Sequence, residues 1–189
     1  MSHLDLLARD ETRALVMPLS VEQYHGLRDS GWISEKTELL EGIILRKMTK
    51  SPRHSYLIIT LQQMLASGLG EAFLLRKEDP LTLANSEPEP DLSIVRGKPA
   101  DFRDAHPDSA ELVVEVAINS LELDRAKVAI YVAAAIPEYW IVRPGARCIE
   151  VYTEPADAGY RLCREVDTTS PFRSRWGTLD LAVLFADDC

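Results

Sequence analysis

Two carboxylates and an amine stand out by type and spacing: Asp91 in SEPEPDLSIVRG, Glu115 in ELVVEVA and Lys127 in LELDRAK. Asp91 opens one apolar run and Glu115 stands near the end of the next, with a polar, proline-bearing connection over 96–110 between them. If the runs pair as consecutive antiparallel strands, both acids fall at the end away from that connection. Neighbouring strands lie about 4.8 Å apart and same-face side chains project together, so the carboxylates would converge. Two close carboxylates repel, and one takes up a proton unless a cation sits between them. Mg²⁺ suits that place, because it takes one or two protein carboxylates together with waters and phosphate oxygens. An ion so held polarises a phosphoryl oxygen and acidifies water, which is the chemistry of phosphodiester hydrolysis. The competing reading of the same spacing is plainer: Asp91 caps a strand entry and Glu115 pairs with a surface lysine.

Lys127 falls on a helical stripe with Leu123, Tyr131 and Ala134, and so shares a face with apolar residues. A helix that follows the Glu115 strand turns such a stripe toward the sheet. An ammonium there is partly desolvated and calls for a carboxylate or phosphate partner. In a phosphodiesterase it would orient the attacking water and offset charge in the transition state. The alternative is a lysine that snorkels to solvent near a helix start.

The elements that must position these groups follow from local pattern. Residues 1–19 have weak periodicity and read as an N-terminal arm, and 20–189 as one domain. Ser20 and Gln23 have capping-box spacing and open a short helix ending near Ser30-Gly31. In TELLEGIILRKM two apolar runs flank Glu41-Gly42, a two-residue hairpin turn. Ser51-Pro52 starts an amphipathic helix of roughly 15 residues that stops at Gly68 or Gly70. AFLLRKEDPLTLA reads as strands broken at Asp79-Pro80, and 85–90 as extended, since each Glu before Pro is pushed out of the helical region. A helix over 121–135 ends before Pro137, EYWIVRP, CIEVYTE and YRLCREV are strand-like, and LDLAVLF closes the chain as a short helix or strand. Several strands around two main helices imply an α/β (α+β) fold with a central mixed β-sheet.

Composition sets outer limits. The 189 residues, 46% apolar and 27% charged, are those of a globular protein with a substantial core. No apolar run approaches the ~20 residues of a membrane span, and the N-terminus lacks a signal-peptide pattern, so the expected location is cytoplasmic. Cys148, Cys163 and Cys189 form no CxxC pair and read as reduced structural thiols. The net charge of −9 has the wrong sign for a generally basic nucleic-acid-binding surface. The acid-free run LRKMTKSPRH, with Arg46, Lys47, Lys50, Arg53 and His54, is the local candidate for touching phosphate, although a solvated loop explains it too. Taken alone, Glu38 in the first hairpin and His54 at a helix start read as solvated or hydrogen-bonded groups.

The strings TELLEGIILRKM, SPRHSYLIITLQQML, SEPEPDLSIVRG, ELVVEVAINSLELDRAKVAIY and AAAIPEYWIVRP, in that order, resemble the Uma-type restriction-endonuclease family of the PD-(D/E)XK nuclease superfamily. The resemblance runs from about Val21 to the C-terminus. It implies a restriction-endonuclease-like core, a mixed sheet flanked by helices with a metal site at its edge. Asp91 matches the aspartate of the PD motif and Glu115 the acid of the following strand. The superfamily's usual lysine position, two residues after Glu115, is Ala117 here. Related members carry the lysine on the next helix, where Lys127 stands. Glu38 matches the glutamate of the first hairpin, as a third metal ligand, and His54 the histidine opening the long helix, as a contact to phosphate or a metal-held water. The chain departs from the pattern in three places: one residue fewer between Asp124 and Lys127, Ile118-Asn119 where small polar residues are usual, and Ala135 in place of glycine. The resemblance implies Mg²⁺ (or Mn²⁺) as cofactor, double-stranded DNA as partner and a homodimer. A nuclease fold retained as a non-catalytic binding or assembly module is the alternative, and the negative charge motivates it.

Overall fold

The computed structural model describes residues 10–157 and 159–186. The first nine residues of the expected arm and Cys189 lie outside them. Six strands make the main sheet, β3 (Phe73–Lys77), β4 (Leu92–Arg96), β5 (Leu112–Val116), β6 (Glu138–Arg143), β7 (Cys148–Ala156) and β8 (Gly159–Asp167), ordered as numbered. Every neighbouring pair is antiparallel except β5 and β6, which run parallel. A parallel pair needs a crossover, and α4 (Leu121–Ala133) supplies it. The mixed sheet of the α/β reading is therefore present, and β4 and β5 are the expected antiparallel neighbours.

Strand periodicity divides the core into two layers. Leu92, Ile94, Leu112, Val114, Val116, Trp140 and Val142 face one side. There they meet Leu57, Ile58, Leu61 and Leu65 of α3 (Pro52–Ala66), together with a hairpin and a last short helix. Val95, Val113, Tyr139 and Ile141 face the other side and pack against Ile130 and Tyr131 of α4. Asp91 and Glu115 share the parity of this second face. Ser51 caps α3 by accepting from the His54 amide at 3.2 Å, with Pro52 at the first helical position.

Before the main sheet come α1 (Asp10–Arg13), α2 (Val21–Asp29), and the hairpin β1 (Thr37–Leu40) with β2 (Ile43–Arg46). The turn is Glu41-Gly42, with both residues at positive φ, as a two-residue hairpin demands. A Cβ on Gly42 would lie 2.4 Å from Pro18 Cβ, so close packing as well as φ demands glycine. The hairpin is a separate two-stranded sheet held to the core by the extended 85–90 segment. Glu87 and Leu39 exchange both backbone hydrogen bonds, at 2.7 and 3.3 Å. The Glu87 side chain is buried against His25, Arg28 and Thr82, which ties α2 to the same segment. This strap sets Glu38 beside the main sheet.

Two local expectations change. Leu81 and Leu83 are buried but belong to no strand: the amides of 81–83 bond to the carbonyls of Pro88, Pro107 and Ser86, so they pair with loops instead of a ladder. Near the C-terminus, β9 (Phe172–Ser174) and β10 (Gly177–Leu179) form an unexpected hairpin, after which LDLAVLF forms α5 (Leu181–Leu184). Glu138 accepts from both the Trp140 and Trp176 indole N–H groups, at 2.8 and 3.0 Å, and so fastens that hairpin to the start of β6.

Candidate active site

The β4–β5 register pairs Leu92 with Val114, so the next step along the ladder sets Asp91 opposite Glu115. The Asp91 amide donates to Glu115 Oε2 at 3.3 Å, and Asp91 Oδ2 accepts from the Val116 amide at 2.7 Å. Asp91 thus ends the ladder with its side chain, so the plainer strand-end role is present alongside the convergence of the two acids. One turn into α3, His54 Nε2 lies 3.1 Å from Asp91 Oδ2, while its buried Nδ1 has no hydrogen-bond partner. A buried ring nitrogen without a partner carries a desolvation penalty unless something binds it.

Lys127 reaches the cleft from the second turn of α4, on the stripe that faces the sheet. Its ammonium is 2.9 Å from Glu115 Oε1 and 3.4 Å from Glu38 Oε2. Residue 127 is only 4% exposed, so it does not snorkel to solvent. One turn further, the Tyr131 hydroxyl donates to Glu115 Oε1 at 3.1 Å. Glu38 Oε2 also accepts from the Glu89 amide at 3.4 Å. All five residues singled out in the sequence, Glu38, His54, Asp91, Glu115 and Lys127, line one cleft.

Sequence reasoning missed two members. Asp124 lines the cleft and is buried, with its carboxylate accepting from the Ser120 hydroxyl at 2.5 Å. In the sequence it reads as one of the acids that favour any helix N-terminus, yet its i,i+3 relation to Lys127 places both on the buried face. Tyr131 reads there as an apolar stripe residue, and its hydroxyl is the part that matters here.

Four buried acids, Glu38, Asp91, Glu115 and Asp124, therefore share the cleft with one buried lysine. Burial pushes the Glu115 carboxyl up to about 8; Lys127 opposes this, while Asp124, Asp91 and Glu38 add to it. Asp124 is also raised, mainly by burial. Burial alone would lower Lys127, but Glu115, Glu38 and Asp124 together hold it above its ordinary value, so it stays charged. Unfolded glutamate titrates near 4.5, and from there to about 8 the folded state holds the extra proton. Stability of the metal-free protein therefore falls as pH rises through that window. Melting temperatures measured between about pH 5 and pH 8 in EDTA should show the fall, and Glu115→Gln should flatten it.

The donor set around the two strand ends is carboxylate oxygen, which suits a hard divalent cation. Among the described residues no group of three or more acidic, histidine or cysteine side chains stands ready to hold a metal ion. The adjacent pair Asp91 and Glu115 meets the smaller demand of Mg²⁺, whose remaining positions are filled by waters and substrate phosphate. The surplus of acids over Lys127 also favours an added cation. The residues present fit the ion.

A model of the Uma2 family, described as "Putative restriction endonuclease", matches residues 21–175. The chain belongs to the Uma2 family. Family and fold together indicate a restriction-endonuclease-like nuclease. Similarity extends to the crystal structure of a putative nuclease belonging to DUF820 from Anabaena variabilis ATCC 29413. That likeness has a TM-score of 0.76 at 14% identity, and covers 91% of this chain and 100% of the other. At that identity it speaks for the fold alone. No curated protein matches the chain. Two residues after Glu115 stands Ala117, and Lys127 of α4 brings an ammonium to the Glu115 carboxylate.

Proposed function

We propose that this Uma2 protein is a Mg²⁺-dependent endonuclease that hydrolyses phosphodiester bonds of DNA, with Mn²⁺ able to replace Mg²⁺. What carries the reading is the convergence of Asp91, Glu115 and Lys127, from three successive elements, in one acid-rich cleft. Asp91 and Glu115 would hold the ion, with Glu38 as a further carboxylate beside it. When bound, the ion supplies a Lewis acid for the phosphoryl group and lowers the pKa of water. Lys127 orients the attacking water and offsets the charge that develops on the phosphoryl oxygens. Tyr131 and Glu38 fix the ammonium and the Glu115 carboxylate, so that little reorganisation remains at the moment of reaction. His54 supports Asp91 through its Nε2, 3.1 Å from Oδ2.

The basic run from Arg46 to His54 borders the cleft and provides the phosphate contacts. The family description implies duplex DNA, and cutting both strands would need two copies of the cleft, related as a homodimer. The location expected from the sequence is cytoplasmic, and no described helix is long and apolar enough to cross a membrane.

The test is incubation of labelled DNA with the purified protein in Mg²⁺, in Mn²⁺ and in EDTA. Cleavage is expected with either ion and not in EDTA. Equal cleavage in EDTA, or none with either ion, would overturn the reading, and the second result would favour a non-catalytic module.

A further inference from the structure

We infer that β8, the exposed edge of the main sheet, pairs antiparallel with β8 of a second copy, centred on Cys163. Cleavage of both strands calls for two copies, and this inference goes further by naming the surface that joins them, without resting on the metal chemistry. β8 pairs with β7 on one side, and among the described residues no strand lies on the other. It is nine residues long, and all of 161–165 is exposed, Leu162 at 52%. The opposite edge, β3, has five residues, none of them exposed. An open strand of the first kind offers a row of N–H and C=O groups that a second strand satisfies.

Parity and charge set the register. Alternate residues of a strand direct their N–H and C=O groups to opposite sides. A two-fold pairing therefore matches residues of equal parity and is centred on a residue. Centred on Cys163, the midpoint of β8, the whole strand is paired, 159 against 167. Arg161 then stands opposite Glu165 on both sides of the axis, and Tyr160 opposite Val166. Opposite charges and aromatic–β-branched pairs are favourable cross-strand neighbours, and like charges directly opposed are not. Centres at Arg161, Arg164 or Glu165 set a like charge against itself, and a centre at Leu162 separates Arg161 from Glu165. Charges that merely blunt an edge need only repel. Those of β8 balance, Arg161 and Arg164 against Glu165 and Asp167, so two chains of net charge −9 meet there without net repulsion.

The experiment follows the full chain by sedimentation equilibrium from micromolar to sub-millimolar concentration, without metal or DNA. Wild type should dimerise. Arg161→Glu and Glu165→Arg each set like charges opposite, and each should weaken the dimer by about tenfold or more. The double exchange restores opposite charges and should restore the dimer. Directly opposed residues have Cα atoms roughly 4.5–5.5 Å apart, within a disulfide's reach. In a Cys189→Ser background, where Cys148 is buried, diamide should therefore join the two Cys163 thiols. The azo oxidant takes up both hydrogens and leaves as its hydrazine, and further replacement by Cys163→Ser should abolish the cross-link while the dimer remains. A wild-type monomer at every concentration overturns the proposal. So does a dimer indifferent to the single exchanges, a loss that the double exchange leaves unrepaired, or a Cys163 that fails to cross-link. A monomer that cleaves DNA sinks this surface alone, and a dimer that cleaves nothing sinks the reading of the cleft alone.

Discussion

Replacing Asp91 by Asn should lower Mg²⁺-dependent DNA cleavage by on the order of a thousandfold and leave the folded structure in place. The two effects separate because Asp91 does two jobs. Its carboxylate accepts from the Val116 amide at 2.7 Å, and an asparagine carbonyl can still accept there. What the amide lacks is the negative charge that, beside Glu115, draws a hard cation to the strand ends. Parallel thermal melts of wild type and variant in EDTA, set beside cleavage rates in Mg²⁺, would read both halves. A rate loss matched by a collapse in melting temperature would mean that Asp91 is chiefly structural.

Replacing Lys127 by Met should give the largest loss of stability, about 3–5 kcal/mol near pH 8. For a chain of this size that is a fall of roughly 10 °C in melting temperature. The ammonium is buried between Glu115 and Glu38 at 2.9 and 3.4 Å, and removing it leaves those acids uncompensated. Two things can stand in for the lost charge. Lower pH protonates the acids left without their partner, so the penalty should shrink by pH 5. Added Mg²⁺ should restore part of the melting temperature, since the ion would neutralise the same carboxylates. Thermal melts across pH, with and without Mg²⁺, would measure this. A pH-independent loss with no recovery by Mg²⁺ would place Lys127 in ordinary packing.

Which parts of this site are legible in sequence follows from which forces are local. Strand alternation and the connection over 96–110 are enough to set Asp91 against Glu115, because an antiparallel pair fixes its own register. Helical periodicity is enough to turn Lys127 toward the sheet. Glu38 and His54 are different: one lies in a separate hairpin and the other in the first turn of a helix on the opposite face. Only tertiary contacts, the Glu87–Leu39 bridge and the packing of α3, bring them in. Their residues alone read as solvated, and it is the family resemblance that points to them. Asp124 was hidden by the general preference of helix starts for acids. Leu81 and Leu83 mislead in the opposite direction, since burial imitates a strand although their amides bond to loops. The β9–β10 hairpin is short and charged, and only Gly177, at positive φ just after the Arg175-Trp176 turn, marks it.

The central claim is that Asp91 and Glu115 together hold a divalent ion. Mn²⁺ titrated into metal-free protein, with the free ion followed by electron paramagnetic resonance, tests it without reference to any substrate. Wild-type protein should withdraw Mn²⁺ from solution, more strongly as pH rises toward 8 and Glu115 ionises, and the Asp91→Asn, Glu115→Gln double variant should not. Equal binding by the two proteins, or none by wild type, would contradict the account.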